Sequence, residues 1–287
     1  MTQHTQASLK SPIFPTWCPG CGDFGIWASL KQAIVDLAIP EEQLVIVYGV
    51  GCSGNMADFN RVYGFHALHG RGIANAEAIK LANHDLKVIV IAGDGDTYGE
   101  GMNHFLTAVR GNHDITLIIH DNQVYGLTTG QNSPTTAKGT KTKSSPLGVV
   151  DEPVNPLALA LSAQATFVAR GYAGRIPQLT GLMKAAIQHE GMSVLDVFQP
   201  CVTFNAVNTH QWFQTRVYDM QAEGHNTEDK VAAWQKSWEI DRLGTGIFYQ
   251  DKSSVPYHKQ LPQVQNGSLV SQWQPTRDIS GLMNAFV

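Results

Sequence analysis

Apolar residues along the chain fall into short runs that alternate with segments of helical periodicity. The runs at 44–48, 87–92 and 115–119 are short and rich in β-branched residues, which is typical of strands buried on both faces. Two further strands are predicted at 166–169 and 194–198. Helical spacing of apolar residues predicts the intervening helices at 22–38, 73–84, 102–109 and 177–190. This alternation predicts an α/β fold, a mostly parallel sheet with helices on both faces.

Two segments lack this pattern. Residues 127–156 are rich in Thr, Ser, Gly, Pro and Lys, and a loop of this length inside a compact domain is usually functional or mobile. Residues 206–287 contain one predicted helix, which begins after an N-cap at Asn226 and runs to about Trp238, and the rest is expected to be irregular. We therefore expect an α/β domain at 1–205 and a C-terminal extension at 206–287 that packs on this domain or on a partner subunit.

Composition and charge narrow the class of protein. Of the 287 residues, 43% are hydrophobic and 15% are charged, as in globular proteins. The net charge of −4 gives no basis for nucleic-acid binding. The sequence has no apolar run long enough for a membrane span, and its N-terminus lacks the apolar core of a signal peptide. We therefore expect a cytoplasmic protein with neither nucleic acid nor membrane as a partner.

The four cysteines are the first chemical signal. Cys18 and Cys21 form a C-x2-C pair, and Cys52 and Cys201 lie far downstream. In a reducing compartment such thiols indicate metal or redox chemistry rather than disulfides. On spacing alone, an iron–sulfur cluster, a zinc site with four thiolates and four unrelated buried cysteines all remain possible.

Polar residues at the ends of two predicted strands are the second signal. Residues 93–96 read Gly-Asp-Gly-Asp directly after one strand, and Asn122 follows the next strand along the chain. Parallel strands end at one edge of the sheet, where carboxylate and amide oxygens can bind Mg²⁺ and glycines let a phosphate approach. The alternative is an ordinary turn at each strand end. The G-x-G-x-x-G match at 49–54 would indicate a dinucleotide fold, but it includes Cys52 of the cysteine set, and we reject it.

These motifs together carry a resemblance to a known family. Gly93-Asp94-Gly95 followed by Asn122 resembles the diphosphate–magnesium motif of thiamine-diphosphate enzymes. The stretches His-Asp-Asn-Gln-Val-Tyr-Gly-Leu-Thr-Thr-Gly-Gln at 120–131, Ser-Pro-Thr-Thr at 133–136 and Trp-Cys-Pro-Gly-Cys-Gly at 17–22 narrow the match. Over roughly residues 12–205 the chain resembles the β subunit of 2-oxoacid:ferredoxin oxidoreductases, most closely the 2-oxoglutarate type. The resemblance implies the diphosphate-binding domain of the thiamine diphosphate-binding fold.

The resemblance also implies which residues form the site. Asp94, Asn122 and the Val124 carbonyl would bind Mg²⁺. The residues expected to border thiamine diphosphate are Val50, Gly51, Cys52, Ser53, His69, Gly93, Gly95, Asp96, Gly126 and Leu127. The expected ligands of a 4Fe–4S cluster are Cys18, Cys21, Cys52 and Cys201. Since Cys52 belongs to both sets, the cofactor and the cluster are expected to be neighbours.

The activity implied is the reversible oxidative decarboxylation of 2-oxoglutarate with coenzyme A to succinyl-CoA and CO2, with electrons passed through the cluster to ferredoxin. No side chain of this subunit is expected to be catalytic, because the family places the activating glutamate on an α subunit, in an α2β2 assembly. Arg71 and the loop lysines Lys138, Lys141 and Lys143 are candidates for binding the distal carboxylate, or are simply solvated.

Three alternatives differ in function. The first is a pyruvate-specific member of the same family. The second is a non-redox thiamine diphosphate decarboxylase or synthase with a structural four-cysteine metal site. The third is a metal-stabilised binding subunit without catalysis.

Overall fold

The computed structural model describes residues 4–276 and 278–286. Its strands are β1 (Leu44–Tyr48), β2 (Tyr63–His66), β3 (Lys87–Gly93), β4 (Thr116–Asp121), β5 (Val124–Tyr125), β6 (Gln131–Asn132), β7 (Phe167–Tyr172), β8 (Ser193–Phe198), β9 (Val217–Asp219) and β10 (Leu243–Gln250). Its α-helices are α1 (Asp23–Asp36), α2 (Met56–Phe59), α3 (Gly72–Ala82), α4 (Met102–Gly111), α5 (Pro156–Ser162), α6 (Ile176–Gln188), α7 (His210–Gln214), α8 (Lys230–Ser237) and α9 (Ser280–Asn284). A π-helical turn spans Gly95–Glu100, and short 3-10 turns span Glu41–Gln43, Tyr257–Gln260 and Pro262–Val264.

The main sheet has eight strands in the order β2-β1-β3-β4-β8-β7-β10-β9. The strands from β2 to β7 in this order run parallel, β10 is antiparallel to β7, and β9 is parallel to β10. β5 and β6 form a separate antiparallel pair in the loop after β4. The predicted α/β fold with a mostly parallel sheet is confirmed.

Side chains of the central strands pack on both faces of the sheet. Along β3, Ile89 and Ile91 join one apolar cluster, whereas Val88 and Val90 join the other. This division follows from the alternation of side chains along a strand. The first cluster includes residues of α1 and α6, and the second includes residues of α3, α4 and α5. The helices therefore cover both faces, as the sequence predicts.

The C-terminal region differs from the prediction of an irregular tail. β9 and β10 extend the main sheet beyond β7. The helix predicted after Asn226 corresponds to α8, which begins later than predicted. Its N-cap is Asp229 rather than Asn226, and Asp229 accepts hydrogen bonds from the backbone N–H groups of Val231 and Ala232. Asn226 instead accepts a hydrogen bond from Glu228 N in the preceding turn.

The register between β3 and β4 brings the predicted polar residues together. Gly93 pairs with His120, so Asp94 and Asn122 follow at the same carboxyl edge of the sheet. Ligands of open parallel sheets bind at this edge. In residues 4–276 and 278–286, no helix is long and apolar enough to cross a membrane.

Candidate functional site

A cavity lies at the carboxyl ends of β1, β3 and β4, and we call it the strand-end cavity. The structure brings all the residues predicted to contact the cofactor or Mg²⁺ to its wall. They are Val50, Gly51, Cys52, Ser53, His69, Gly93, Asp94, Gly95, Asp96, Asn122, Val124, Gly126 and Leu127. Residues from four separate loops thus converge because the parallel strands end together.

Asp94 is fixed by hydroxyl groups of the long loop. Ser133 Oγ and Thr135 Oγ1 both lie near Asp94 Oδ2, at 2.5 and 2.6 Å. Asp94 is 2% exposed, and this burial raises the pKa of its carboxyl although the two hydroxyls act in the opposite direction. The loop predicted to be functional therefore holds a side chain of the cavity.

Asn122 begins a tight turn at the end of β4. Its side-chain Oδ1 accepts a hydrogen bond from Val124 N at 3.0 Å, and its backbone carbonyl accepts one from Asn205 Nδ2 at 3.0 Å. Gln123 between them has a positive φ of 61°, in the left-handed region that few residues other than glycine adopt. The turn brings Asn122 and Val124 to the wall of the same cavity.

Asp96 links the cavity to the loop before α3. Its Oδ1 accepts a hydrogen bond from Gly70 N at 2.7 Å and lies 2.8 Å from His69 Nδ1. Gly70 has a φ of 72°, and a Cβ there would lie 2.4 Å from the Glu100 carbonyl carbon, so glycine is required. Burial raises the pKa of Asp96, while Gly70 and His69 favour its charged form.

A buried layer of acidic residues lies beside the cavity. Asp121 accepts a hydrogen bond from Thr135 Oγ1 at 2.8 Å, and Asp196 accepts one from Tyr98 Oη at 3.0 Å. Arg170 Nε is 3.9 Å from Asp196 Oδ1. Burial raises the pKa of Asp121 well above its usual value and that of Asp196 to about 6. A cation bound at this end of the sheet would lower these pKa values again, because a nearby positive charge favours the charged carboxylates.

The second cavity, which we call the cysteine cavity, has a volume of about 250 Å³ and is lined by all four cysteines. Cys18 and Cys21 come from the turn before α1, Cys52 follows β1 and Cys201 follows β8. The thiols stand around this cavity, and among the described residues no three His, Cys, Asp or Glu side chains gather closely enough to hold a single ion. Cys18, Cys21, Cys52 and Cys201 therefore line one cavity, and their role as ligands of one cluster stays a prediction.

Without a nearby cation, burial favours the protonated thiol form of these cysteines. It raises the pKa of Cys52 to about 12 and raises the pKa values of Cys21 and Cys201 as well. At Cys201, backbone N–H groups of Thr203, Phe204 and Asn205 oppose this effect and favour the thiolate. A bound metal would reverse the balance, because metal coordination deprotonates thiols.

The two cavities share a wall. Cys52, Asn122, Gly126 and Leu127 line both. A Cβ built on Gly126 would lie 3.5 Å from Cys52 Sγ and 3.7 Å from Cys201 Sγ, so this backbone passes directly against two of the four sulfurs. A group in one cavity would therefore be a close neighbour of a group in the other.

A buried acid–imidazole pair also connects the cavities. His120 Nδ1 lies 2.6 Å from Asp23 Oδ1, and both residues are almost fully buried. His120 lines the strand-end cavity, while Asp23 lines the cysteine cavity. His120 Nε2 and Ser53 Oγ are buried without a hydrogen-bond partner in the described chain. Such atoms in a cavity wall indicate that a ligand supplies the missing partners.

Several residues of the two cavities were not predicted as site residues. His120, Tyr125 and Thr128 line the strand-end cavity, and Asp23 and Gln199 line the cysteine cavity. His120, Tyr125 and Thr128 belong to the motif at 120–131, so adjacency to Asn122 was an available signal. Asp23 and Gln199 each lie two residues from a predicted cluster ligand, Cys21 and Cys201, so adjacency was an available signal for them too. The contact of Gln199 with Cys21, 178 residues away, depends on the fold and leaves no sequence signal.

The cationic candidates are not gathered at the strand-end cavity. Arg71 Nη1 donates to the Glu100 carbonyl at 3.1 Å, and Lys138 pairs with Glu152. Lys143 Nζ donates to Thr129 Oγ1 at 2.6 Å. Thr129 lines the cysteine cavity, and Lys141 lines a smaller pocket beside the loop at 204–208.

Two family models match consecutive parts of the chain. Residues 49–197 match the model described as "Thiamine pyrophosphate enzyme, C-terminal TPP binding domain". Residues 201–266 match the model of the C-terminal part of the pyruvate ferredoxin oxidoreductase beta subunit. The first model covers the strand ends of the strand-end cavity, and the second begins at Cys201.

Similar proteins agree with these models. The chain is 43% identical over 274 residues to "2-oxoacid:ferredoxin oxidoreductase 1, subunit beta" of Aeropyrum pernix, which covers 92% of this chain and 86% of that protein. It is 40% identical over 200 residues to "2-oxoglutarate synthase subunit KorB" of Archaeoglobus fulgidus, with 69% of this chain and 74% of that protein covered. A solved structure, "2-oxoglutarate:ferredoxin oxidoreductase from Magnetococcus marinus with 2-oxoglutarate, coenzyme A and succinyl-CoA bound", is 32% identical with a TM-score of 0.91 and covers 99% of this chain and 97% of that one.

Proposed function

The chain belongs to the β subunits of 2-oxoacid:ferredoxin oxidoreductases, and from this membership we propose that it acts, with an α subunit, in the oxidative decarboxylation of 2-oxoglutarate. Coenzyme A would receive the acyl group as succinyl-CoA, CO2 would be released, and the electrons would pass to ferredoxin. The observation that carries this proposal is the shared wall between the strand-end cavity and the cysteine cavity. It fits a site in which oxidation and electron transfer occur side by side.

The strand-end cavity fits the diphosphate end of thiamine diphosphate. The chain has a thiamine diphosphate-binding domain over residues 49–197. The cavity offers glycines at positions 51, 93, 95 and 126, where the backbone can approach phosphate oxygens. The unpartnered Ser53 Oγ and His120 Nε2 can bond to the ligand. We propose that the residues predicted from the sequence hold the cofactor here.

The donor set beside the diphosphate fits Mg²⁺. Asp94 supplies a carboxylate, Asn122 an amide oxygen and Val124 a backbone carbonyl, which are the hard oxygen ligands that Mg²⁺ prefers. The hydroxyls of Ser133 and Thr135 orient Asp94 from outside this set. Asp121 and Asp196 lie behind this set as buried acids, and a cation beside them would lower their raised pKa values.

The cysteine cavity fits an iron–sulfur cluster. Four thiols surround about 250 Å³, and backbone amides at 203–205 favour the thiolate of Cys201. A zinc ion would need four sulfurs within about 2.3 Å of one point, whereas these thiols are spread around a cavity. We therefore propose that Cys18, Cys21, Cys52 and Cys201 hold a 4Fe–4S cluster.

The chain's own residues bind, orient and shield. Bound thiamine diphosphate supplies an electron sink for decarboxylation, and the cluster supplies a one-electron acceptor. Asp94 and Asn122 would orient the diphosphate through the metal, and Asp96 keeps His69 at the cavity wall. Gly126 and Leu127 separate the two cavities with a single stretch of backbone, which would hold the two groups close together.

Substrate choice rests on two lines of support. KorB relatives and the Magnetococcus marinus enzyme carry 2-oxoglutarate in their names. Pyruvate is the second candidate, since the model that matches residues 201–266 is named for pyruvate ferredoxin oxidoreductase. Arg71, Lys138, Lys141 and Lys143 do not line the strand-end cavity, so we propose that the α subunit supplies the cation for the distal carboxylate.

The test is anaerobic reconstitution of the complex with its α subunit, thiamine diphosphate and Mg²⁺. We expect coenzyme A-dependent ferredoxin reduction that is faster with 2-oxoglutarate than with pyruvate. Iron and sulfide analysis and an EPR spectrum of the reduced protein should report one 4Fe–4S cluster for each chain. Faster turnover of pyruvate would transfer the assignment to the pyruvate type. A colourless protein with one zinc would point to a non-redox thiamine enzyme, and a complex that binds no thiamine diphosphate would point to a binding subunit.

A further inference from the structure

We propose that Gln199 and Asp23 set the reduction potential of the cluster through Cys21, in opposite directions. The inference rests on the proposed ligation of a 4Fe–4S cluster by the four cysteines. Oxidation of the 2-oxoacid to the acyl-CoA releases two electrons, and the cluster would pass them to ferredoxin one at a time. Groups beside a ligand sulfur leave this stoichiometry unchanged and alter the equilibrium between the oxidised and reduced cluster.

Gln199 aims an amide N–H at a ligand sulfur. Its Nε2 lies 3.1 Å from Cys21 Sγ and also donates to the Pro200 carbonyl at 3.0 Å. The residue is 1% exposed, and its backbone N–H is tied to the Asp121 carbonyl at 3.0 Å. The side-chain carbonyl oxygen Oε1 is buried and has no hydrogen-bond partner among the described residues, so only the Nε2 end of the amide is paired. The buried side chain therefore holds a donor against a proposed ligand sulfur.

The effect of this contact follows from charge. Reduction adds one negative charge to a cluster already bound by four thiolates. An N–H donor to a ligand sulfur stabilises the more negative, reduced form and therefore raises the reduction potential. Loss of the donor from a buried site should lower it.

Asp23 acts on the same sulfur with the opposite sign. Its Oδ2 lies 3.3 Å from Cys21 Sγ, and its Oδ1 is held by His120 Nδ1 at 2.6 Å. The free thiol of Cys21 donates to Asp23, but a thiolate bound to iron has no proton to donate. A buried carboxylate then faces the sulfur and disfavours the added electron. Asp23 therefore lowers the potential.

Cys21 is the ligand at which side chains can make this adjustment. Cys18 is exposed to solvent. In the described chain, Gln199 is the one side chain that donates a hydrogen bond to a cysteine sulfur. Gln199 and Asp23 thus place a hydrogen-bond donor and a charge beside Cys21. Either can be substituted without changing a proposed cluster ligand.

The experiment is an EPR-monitored redox titration of the α/β complex, carrying wild-type chain or Gln199→Leu, Gln199→Glu or Asp23→Asn. At a fixed poise we expect Gln199→Leu to lower the ratio of reduced to oxidised cluster about tenfold, which is about 59 mV for one electron. Gln199→Glu should lower it further, because it replaces the donor with a charge. Asp23→Asn should raise it. Gln32→Leu, the same substitution at an exposed position of α1, is the matched control and should leave the potential unchanged.

The outcomes separate this inference from the proposed function. A wild-type complex with no 4Fe–4S signal would remove the proposed cluster itself. A normal cluster signal in all variants, with midpoint potentials that do not move or that move together in one direction, would overturn the roles of Gln199 and Asp23 alone. If Gln199→Leu does not fold, the opposite shifts of Gln199→Glu and Asp23→Asn still decide the question.

Discussion

Hydroxyl groups of the long loop orient Asp94, the carboxylate proposed to bind Mg²⁺. Ser133 Oγ lies 2.5 Å from Asp94 Oδ2, and a second-sphere hydrogen bond of this kind orients a metal ligand. We expect Ser133→Ala to weaken Mg²⁺-dependent thiamine diphosphate binding about 10- to 100-fold, as measured by Mg²⁺ titration of the complex. Ser162→Ala, which removes an exposed hydroxyl of α5, is the control. An unchanged Mg²⁺ requirement in the first variant would contradict the proposed metal site.

Gly95 owes its identity to the ring of Tyr125. A Cβ at residue 95 would lie 2.3 Å from Tyr125 Cε1, so Gly95→Ala must push this ring, which lines the strand-end cavity. We expect cofactor affinity to fall about tenfold or more, in line with overpacking costs of about 1–3 kcal/mol. The measurement is a thiamine diphosphate titration of the complex.

Gly181→Ala is the matched control for this substitution. Nothing lies within 4 Å of a Cβ built there, and the residue is in α6. We expect this change to stabilise the chain by about 0.5–1 kcal/mol and to leave cofactor binding alone. Equal cofactor affinities in the two variants would show that the Tyr125 ring gives way without cost.

At the scale of elements, a buried ion pair joins α3 to the turn between α4 and β4. Lys80 Nζ lies 2.7 Å from Asp114 Oδ2, and Lys80 is 3% exposed. Burial acts to raise the pKa of Asp114, but the Lys80 ammonium outweighs it and the pKa is lowered. Lys80→Met should therefore cost about 3 kcal/mol of stability near neutral pH, because it leaves a buried carboxylate unpaired.

The pH dependence of this loss has a definite sign. A carboxyl whose pKa is lowered by folding contributes stability above its ordinary value of 3.8, and that contribution disappears as the pH falls through the lowered value. Urea unfolding should thus give wild-type and Lys80→Met curves that converge on acidification. Lys184→Met removes the half-exposed pair with Asp36 and should cost under about 1 kcal/mol. A pH-independent difference would rule out the electrostatic explanation.

The sequence predicted those elements whose pattern is strong. The runs that became β1, β3 and β4 are mostly apolar because both faces of these strands are buried, and the ends of the runs located the site. β2 was not predicted, since its four residues are all exposed at the edge of the sheet. β10 was not predicted either, because Gly244 and Gly246 interrupt its pattern and its place in the sheet depends on pairing with β7. Contacts between residues far apart in the sequence, such as that of Gln199 with Cys21, produce no periodic pattern from which they could be predicted.

At the scale of the whole molecule, apolar side chains remain exposed on the edge strand β2 and just after it. Tyr63 is 68% exposed and Leu68 is 80% exposed, both close in sequence to His69 of the strand-end cavity. Large apolar residues on a surface mark interaction sites when they cluster. The proposed α subunit, which the family resemblance makes the source of the activating glutamate, would complete the site from outside this chain.

This arrangement predicts a simple dependence on the partner. The purified chain with thiamine diphosphate, Mg²⁺, coenzyme A and ferredoxin should give no 2-oxoacid-dependent ferredoxin reduction. Addition of the α subunit should restore it, as followed by the bleaching of ferredoxin absorbance. Bound cofactor in the isolated chain, assayed in parallel, separates a missing catalytic group from a missing cofactor. Turnover by the chain alone would disprove the need for a partner.

The strand order also fixes when the cysteine cavity can close during synthesis. β8 lies between β4 and β7, although it is made after both. During synthesis the nascent chain therefore contains Cys18, Cys21, Cys52 and β7 before it contains β8. Until β8 is made, β4 and β7 lack the strand that lies between them in the sheet. Cys201 follows β8 by a few residues, so the last thiol arrives with that strand. The proposed cluster could then be completed only after translation has passed Cys201, so delivery of its iron and sulfide would follow synthesis of the central strands.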